Sequence, residues 1–184
     1  MAKKVLMLTG SPRKNGNSNM LATAFASGAK AAGNEVKCYN ATKHPMKGCQ
    51  GDGSCLPRGY CGVPEVKEFH ELMCWADVLV IVSPVYWKGF SSQIKTMIDH
   101  LRPYAGEAGR ALCTVHESYL IATARIPAEV EDAFSALKDE FEHINHVLKF
   151  KDCGHLLVGG VNEIGDIKTK PEAIAQAITM GFQI

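Results

Sequence analysis

"TGSPRKNGNS" (residues 9–18) separates the apolar run "KVLML" (4–8) from a helical pattern, and its reading decides the fold. Two glycines, a proline, two cations and several hydroxyl or amide side chains bury almost no apolar surface, so the stretch is built for something it touches. Upstream, "KVLMLTG" (4–10) reads as a strand buried on both faces. Downstream, Met20, Leu21, Ala24, Phe25 and Gly28 recur at helical spacing until Gly33, a helix stop. A strand, a glycine-bearing turn and a helix in that order make the first unit of a β–α chain.

The same alternation continues. "EVKCYNA" (35–41) is a second strand, and residues 43–64, rich in Gly, Cys and Pro, form a long loop inserted in the domain. A helix follows over 64–75, then "DVLVIVSPVY" (77–86), the most central strand. Ser91 caps a helix in which Ile94, Met97, Ile98 and Leu101 share one face, with Pro103 beyond its end. "YLIATAR" (119–125) is a fourth strand, and a long helix is expected from Pro127 to Phe150. Its apolar positions Val130, Phe134, Leu137, Phe141, Ile144 and Leu148 suit a helix lying on a sheet, with a coiled-coil seam as the alternative. "GHLLVGGV" (154–161) is the fifth strand, and Thr169 with Glu172 around Pro171 forms a capping-box pattern opening the last helix. Five such units imply an α/β fold, a parallel sheet with helices on both faces, and one domain over 1–184. Ligands of such sheets sit at the carboxyl ends of the strands, where residues 9–18 lie.

Composition narrows the function classes. The 184 residues, 46% hydrophobic, suffice for one sizeable core. A net charge of +1 gives no electrostatic case for nucleic acid or an anionic membrane as partner. No apolar stretch approaches the ~20 residues of a membrane span, and the opening apolar run is too short for a signal peptide, so the expected location is the cytoplasm. Seven cysteines in that setting point to thiols or metal chemistry rather than to a disulfide framework.

The turn at 9–18 has the makings of an anion cradle. Backbone N–H groups at a helix N-terminus favour negative charge. Ser11, Asn17 and Ser18 add donors, Arg13 and Lys14 add charge, and Gly16 permits close backbone approach. It is not a nucleotide P-loop, because five residues separate Gly10 from Gly16 and Asn17 stands where the lysine belongs. A solvated, capped turn would explain the same residues if they stood alone. They do not, because "SPVYWKGFSSQIKTMIDHL" (83–101) leaves the central strand at the corresponding place. Pro84, Val85, Tyr86 and Trp87 precede a turn at Gly89, and two aromatic rings there suit a flat ligand, unless they only close the rim of the core. The two loops together fit a molecule with a phosphate at one end and a planar ring at the other.

"GSPRKNGNS" followed by "SPVYWKGFSSQIKTMIDHL" resembles the NAD(P)H-dependent FMN reductase and iron–sulfur flavoprotein group of the flavodoxin-like superfamily. "GGVNEIGDIKTKPEAIAQAITMG" (159–181) is similar to the ending of that group, so the resemblance spans nearly the whole chain. It implies a flavodoxin-like three-layer sandwich with a five-stranded parallel sheet in the order 2-1-3-4-5. It implies FMN held by Ser11, Arg13, Lys14, Gly16, Asn17 and Ser18 at the phosphate and by Pro84, Val85, Tyr86 and Trp87 at the ring. Gly89 would shape the turn, and Thr123, Ala124 and Arg125 would lie at the pyrimidine edge of the flavin. The implied activity is electron transfer from NAD(P)H to a quinone, a flavin or another small acceptor, with no catalytic acid or base from a side chain. A flavodoxin-type or iron–sulfur electron carrier is the nearest alternative, and a non-catalytic sensor of a phosphate ligand a second. A homodimer or homotetramer is expected, with residues 43–64 and 85–95 as candidate contacts.

The cysteine loop departs from the pattern. Iron–sulfur members carry a compact run of four cysteines, whereas Cys49, Cys55 and Cys61 stand at five-residue gaps, with Met46 or Lys47 in place of the first. A [4Fe–4S] cluster normally takes four thiolates, and Cys38 or Cys74 would have to supply the last. A Cys3His zinc site using His44 is the other metal option. Three clustered cysteines are one short of a cluster set, so the expectation is a metal-free lid. His143 and His146 are read as surface residues.

Overall fold

Val5, Leu6, Met7 and Leu8 are all buried, as a strand covered on both faces requires, and they lie in β1 (Lys4–Thr9). In this computed structural model, which describes every residue except 1, 128 and 131, β1 pairs in parallel with β2 (Glu35–Asn40) and β3 (Val78–Pro84). β4 (Glu117–Thr123) and β5 (Lys151–Val158) follow, giving one five-stranded parallel sheet in the order β2-β1-β3-β4-β5. β3 lies at its centre and is the most apolar, whereas β2, at the edge, fully buries only Tyr39.

The helices divide between the two faces. α1 (Asn17–Ala31) precedes a short turn, α2 (Cys55–Arg58), which lies within the 43–64 loop. Then come α3 (Lys67–Met73), α4 (Ser92–Asp99), α5 (Glu107–Leu112), α6 (Ser135–Leu148) and α7 (Pro171–Phe182). Leu21 and Phe25 of α1 and Ala173 and Ala177 of α7 cover the face formed by Val5, Met7, Val80 and Ile121. Phe69, Met73, Ile94, Met97, Leu137 and Phe141, from α3, α4 and α6, cover the face formed by Leu6, Leu8, Leu79 and Leu120. α1 and α7 meet with almost no side chain between them. A Cβ on Gly28 would stand 2.0 Å from the Ile178 carbonyl oxygen, and one on Gly181 would stand 2.1 Å from that of Phe25.

Several element boundaries differ from the sequence expectation. β4 and β5 begin two and three residues early, on Glu117 and Lys151, because pairing at the amino edge proceeds through polar residues, of which Ser118 is buried on Asn145 while Lys151 and Asp152 face solvent. Glu117 is anchored there by Lys3 Nζ at 2.8 Å. The helix expected from Pro127 starts only at Ser135; its positions 128 and 131 lie outside the described residues. Turns at Arg125–Ile126 and Glu129–Val130 and a left-handed Asp132 (φ +74°) occupy the preceding segment, and Val130 is exposed. Leu137, Phe141, Ile144 and Leu148 pack on the sheet, so the helix is amphipathic rather than a coiled-coil seam. The capping box at α7 does not form: Thr169 Oγ1 donates to the Asp166 carbonyl at 2.7 Å, and no side chain caps α7. Ser91 does cap α4, accepting from the Ile94 N–H at 3.4 Å, and Gly33 ends α1 with φ +90°.

Candidate functional site

β1 delivers the chain to the carboxyl edge at Thr9, and the Gly10 N–H ties the turn to Val82 O of β3 at 3.0 Å. The turn is tight. A Cβ on Gly16 would sit 2.7 Å from Ser11 Oγ and 3.1 Å from the Arg13 carbonyl, so any side chain would push into the concavity. α1 then begins at Asn17, and the N–H groups of its first turn have no intrahelical acceptor. Ser11 and Ser18 are buried beside them, with Ser11 Oγ accepting from the Arg13 N–H at 3.3 Å.

The opposite wall comes from the ends of β3 and β4. The Val85 N–H donates to Thr123 O at 2.8 Å, and the Ala124 N–H to Val158 O at 2.9 Å, so these loops are held by backbone bonds beyond the strands. Tyr86 and Gly89 exchange two backbone hydrogen bonds of 3.0 Å around a two-residue turn. The left-handed conformations in that turn fall on Trp87 (φ +51°) and Lys88 (φ +66°), not on Gly89. Non-glycine residues in this region carry strain, which concentrates at functional sites. Trp87 is fully exposed, and Lys88 pairs with Asp132 of the segment after β4.

Between these walls opens a cavity of about 250 Å³. It is lined by Ser11, Arg13, Gly16, Asn17 and Ser18 on one side, and by Pro84, Val85, Tyr86, Thr123 and Arg125 on the other. Of the remaining sequence candidates, Lys14 is exposed on the outer side of the turn, Trp87 points to solvent, and Gly89 and buried Ala124 support the loops through their backbones. Val161 and Asn162, which the sequence reading did not single out, complete the lining.

Those two residues introduce the C-terminal segment into the site. Asn17 Nδ2 donates to Glu163 O at 2.9 Å, while its Oδ1 accepts from the Gly165 and Ile167 N–H groups at 3.1 and 3.2 Å. The Asn17 side chain is therefore committed to residues 163–167, and only its backbone N–H remains for a ligand. Arg13 donates to the Asn162 carbonyl. The Asp166 carboxylate accepts from the Asn162 and Glu163 N–H groups at 2.9 and 2.8 Å, and these bonds hold it below the usual carboxylate range. A Gly- and Asn-rich turn directly after the last strand, "GGVNEIGD" (159–166), was the available signal.

The cysteine loop builds a separate cavity of about 400 Å³, lined by Cys49, Cys55, Cys61 and His100 among others. Cys61 Sγ stands 3.6 Å from His100 Nδ1, and His100 Nε2 donates to the Lys47 carbonyl at 2.8 Å. Among the described residues, no three His, Cys, Asp or Glu side chains gather closely enough to hold a metal ion. Cys38 is exposed on β2, and Cys74 lies at the end of α3 near Tyr104. His44 stacks on Tyr39 at 4.4 Å and faces Glu68 at 3.3 Å, away from the three cysteines. His143 and His146 are exposed on α6. No described helix is long and apolar enough to cross a membrane.

The model of the NADPH-dependent FMN reductase family matches residues 3–138. An iron–sulfur flavoprotein of Archaeoglobus fulgidus is 32% identical over 102 residues, covering 55% of this chain and 46% of its own. The chain spans about half the length of the iron–sulfur flavoproteins it matches. A Bacillus subtilis protein named as a candidate NAD(P)H-dependent FMN-containing oxidoreductase is 26% identical over 179 residues, covering 95% of this chain and 94% of its own. Among solved structures, an NAD(P)H:quinone oxidoreductase from Methanothermobacter marburgensis superposes with a TM-score of 0.82 at 18% identity, over 100% of this chain and 96% of that one. At that identity the likeness establishes the fold alone.

Proposed function

The chain belongs to the NADPH-dependent FMN reductase family, and on that premise we propose that it binds FMN in the 11–18/84–86/123–125 cleft and passes electrons from NAD(P)H to a small acceptor such as a quinone or a flavin. The observation that carries this reading is the union, in one cavity, of unpaired helix N-terminal amides with two ordered loops at the carboxyl edge. The residues fit the group. The amides of α1, the Ser11 and Ser18 hydroxyls and the Arg13 guanidinium would take the phosphate, in a turn so tight that a Gly16 Cβ would stand 2.7 Å from Ser11 Oγ. Pro84, Val85 and Tyr86 would lie along the ring, and Thr123, Ala124 and Arg125 would meet its pyrimidine edge. Lys14 adds positive potential at the rim. FMN when bound supplies the hydride and electron chemistry; the chain binds it, orients it and covers it.

Trp87 has the place of a cover. Its fully exposed indole, held out on a strained turn, would meet a second copy of the chain, and a homodimer with 85–95 and 43–64 at the contact follows. Light scattering of the FMN-loaded protein at micromolar concentration tests this, and a monomer mass refutes it.

The functional reading is tested by flavin fluorescence titration and by NAD(P)H oxidation with a soluble quinone. Arg13→Ala is expected to weaken FMN binding by roughly tenfold or more, the worth of one charge-assisted phosphate contact. Failure of the wild-type protein to bind FMN, or equal affinity in the variant, overturns the site. FMN binding without turnover of any small acceptor favours the electron-carrier alternative.

A further inference from the structure

The cavity of about 400 Å³ built by the cysteine loop shares no lining residue with the flavin cleft. It sets a thiol against a base. Cys61 Sγ lies 3.6 Å from His100 Nδ1, and the other ring nitrogen, Nε2, lies 2.8 Å from the Lys47 carbonyl. A carbonyl oxygen only accepts, so Nε2 carries a proton. In the neutral ring Nδ1 is then the bare nitrogen, and the Cys61 thiol donates to it. His100 is 2% exposed and caps the end of α4, so the imidazole is held by the fold and by the carbonyl, whereas Cys61 is only partly buried. A nucleophile in reach of a base that a third group orients is the arrangement that activates a thiol.

The lining also favours negative charge beside that sulfur. Arg58 and Arg102 line the cavity against a single carboxylate, that of Asp52. Asp52 is already engaged, accepting from the Ser54 N–H and hydroxyl at 3.0 and 2.8 Å. Arg58 Nε donates to Ser54 O at 2.9 Å, which leaves its terminal nitrogens for a ligand. One of them would stand 2.9 Å from a Cβ on Gly62, the residue after Cys61. Among the described residues neither guanidinium forms a salt bridge.

We propose that Cys61 is a thiol–disulfide exchange site for a small disulfide, R–S–S–R, that carries carboxylates. As Cys61 Sγ attacks one sulfur, its proton passes to His100 Nδ1. The S–S bond breaks, Cys61–S–S–R forms, and the departing R–S⁻ takes the proton back from Nδ1. One disulfide is exchanged for another, so the step needs no further oxidant or reductant. Arg58 and Arg102 meet the carboxylates of the retained half. The volume is that of an ordinary small-molecule pocket. The inference does not depend on the flavin reading, because it draws on none of the same residues.

The test uses oxidised glutathione, an anionic disulfide, and cystamine, a cationic one, each added at neutral pH to the FMN-loaded full chain and to the same chain unfolded in urea. Remaining thiols are trapped with time and read by mass spectrometry on tryptic peptide 59–67, in which Cys61 is the sole cysteine. With oxidised glutathione, Cys61 is expected to react about tenfold or more faster in the folded chain than in the unfolded one. With cystamine that ratio should be lower by about threefold or more. With Cys49 and Cys55 changed to Ser, Cys61 should retain the glutathionyl mass. His100→Gln keeps an N–H for the Lys47 carbonyl but has no basic nitrogen, and it should bring the folded rate down to the unfolded one. If that variant fails to fold, the two wild-type ratios decide. A folded rate no greater than the unfolded one, equal ratios with the two probes, or an unchanged rate in folded His100→Gln overturns the proposal.

Discussion

His70 gives the protein a stability that depends on pH in a defined window. In the unfolded chain the imidazole titrates at its ordinary 6.5, and in the fold burial lowers it to about 4. Above 6.5 both states are neutral, and this group contributes no pH dependence. As the pH falls below 6.5 the unfolded state takes up a proton that the folded state does not, so stability declines until about pH 4, where both are protonated. For full burial the loss by pH 4.5 is about 2.5 kcal/mol, and the incomplete burial of the imidazole reduces the expected value to about 2 kcal/mol. That is a large share of the roughly 5–15 kcal/mol that holds a domain folded. Urea unfolding of wild type and His70→Phe at pH 7.5, 6.5, 5.5 and 4.5 isolates the effect. The variant loses the Tyr104 hydrogen bond at every pH, but the gap between the two proteins should narrow by about 2 kcal/mol from pH 7.5 to 4.5. Asp52 and Asp166, whose carboxyls are lowered by hydrogen bonds, lose their contribution only at more acid pH and equally in both proteins. A gap that stays constant across this range refutes the assignment of a buried, neutral His70.

Gly181→Ala places a methyl 2.1 Å from the Phe25 carbonyl, a backbone atom with no rotamer to yield, and should cost about 1–3 kcal/mol in a thermal or urea melt. Asn17→Ala removes three hydrogen bonds to residues 163–167 and should cost about 2 kcal/mol, with faster tryptic cleavage after Lys168 as the local sign. Replacing Cys49, Cys55 and Cys61 together by Ser should leave FMN affinity and NAD(P)H oxidation within about twofold, since their cavity is separate from the cleft. Stoichiometric zinc, or iron with acid-labile sulfide, in anaerobically purified protein would show instead that the loop closes around a metal.

The sequence disclosed the sheet because parallel strands covered on both faces are near-continuous apolar runs, and Val5–Leu8 and Val78–Val82 can be little else. Both walls of the cleft were legible for a related reason: polar, glycine-bearing turns after apolar strands bury nothing and must serve a ligand or solvent. The strand starts were not legible, since Glu117 and Lys151 pair through their backbones while their side chains are charged, one held by Lys3 and the other in water. The role of Asn17 was hidden as well. A helix-start asparagine looks like a ligand donor until the partners of its amide, nearly 150 residues downstream, are located. Trp87 and Lys88 show the same limit, because backbone strain on non-glycine residues leaves no mark in composition. The unpaired His70 was invisible for its own reason: only the packed neighbourhood shows that Tyr104 takes one nitrogen and nothing takes the other.

The clasp between Asn17 and residues 163–167, with α7 locked against α1 at Gly28 and Gly181, sets an order of events during synthesis. The turn at 9–18 leaves the ribosome nearly 150 residues before the segment that braces it. Until residues 163–167 have emerged, the amide of Asn17 has no acceptor or donor to meet, and until residue 181 has docked, α1 lacks its partner at Phe25–Ala29. The turn thus stays unbraced while the intervening residues are made. A ligand of this turn would then meet a braced site only after the segment following β5 and α7 has docked.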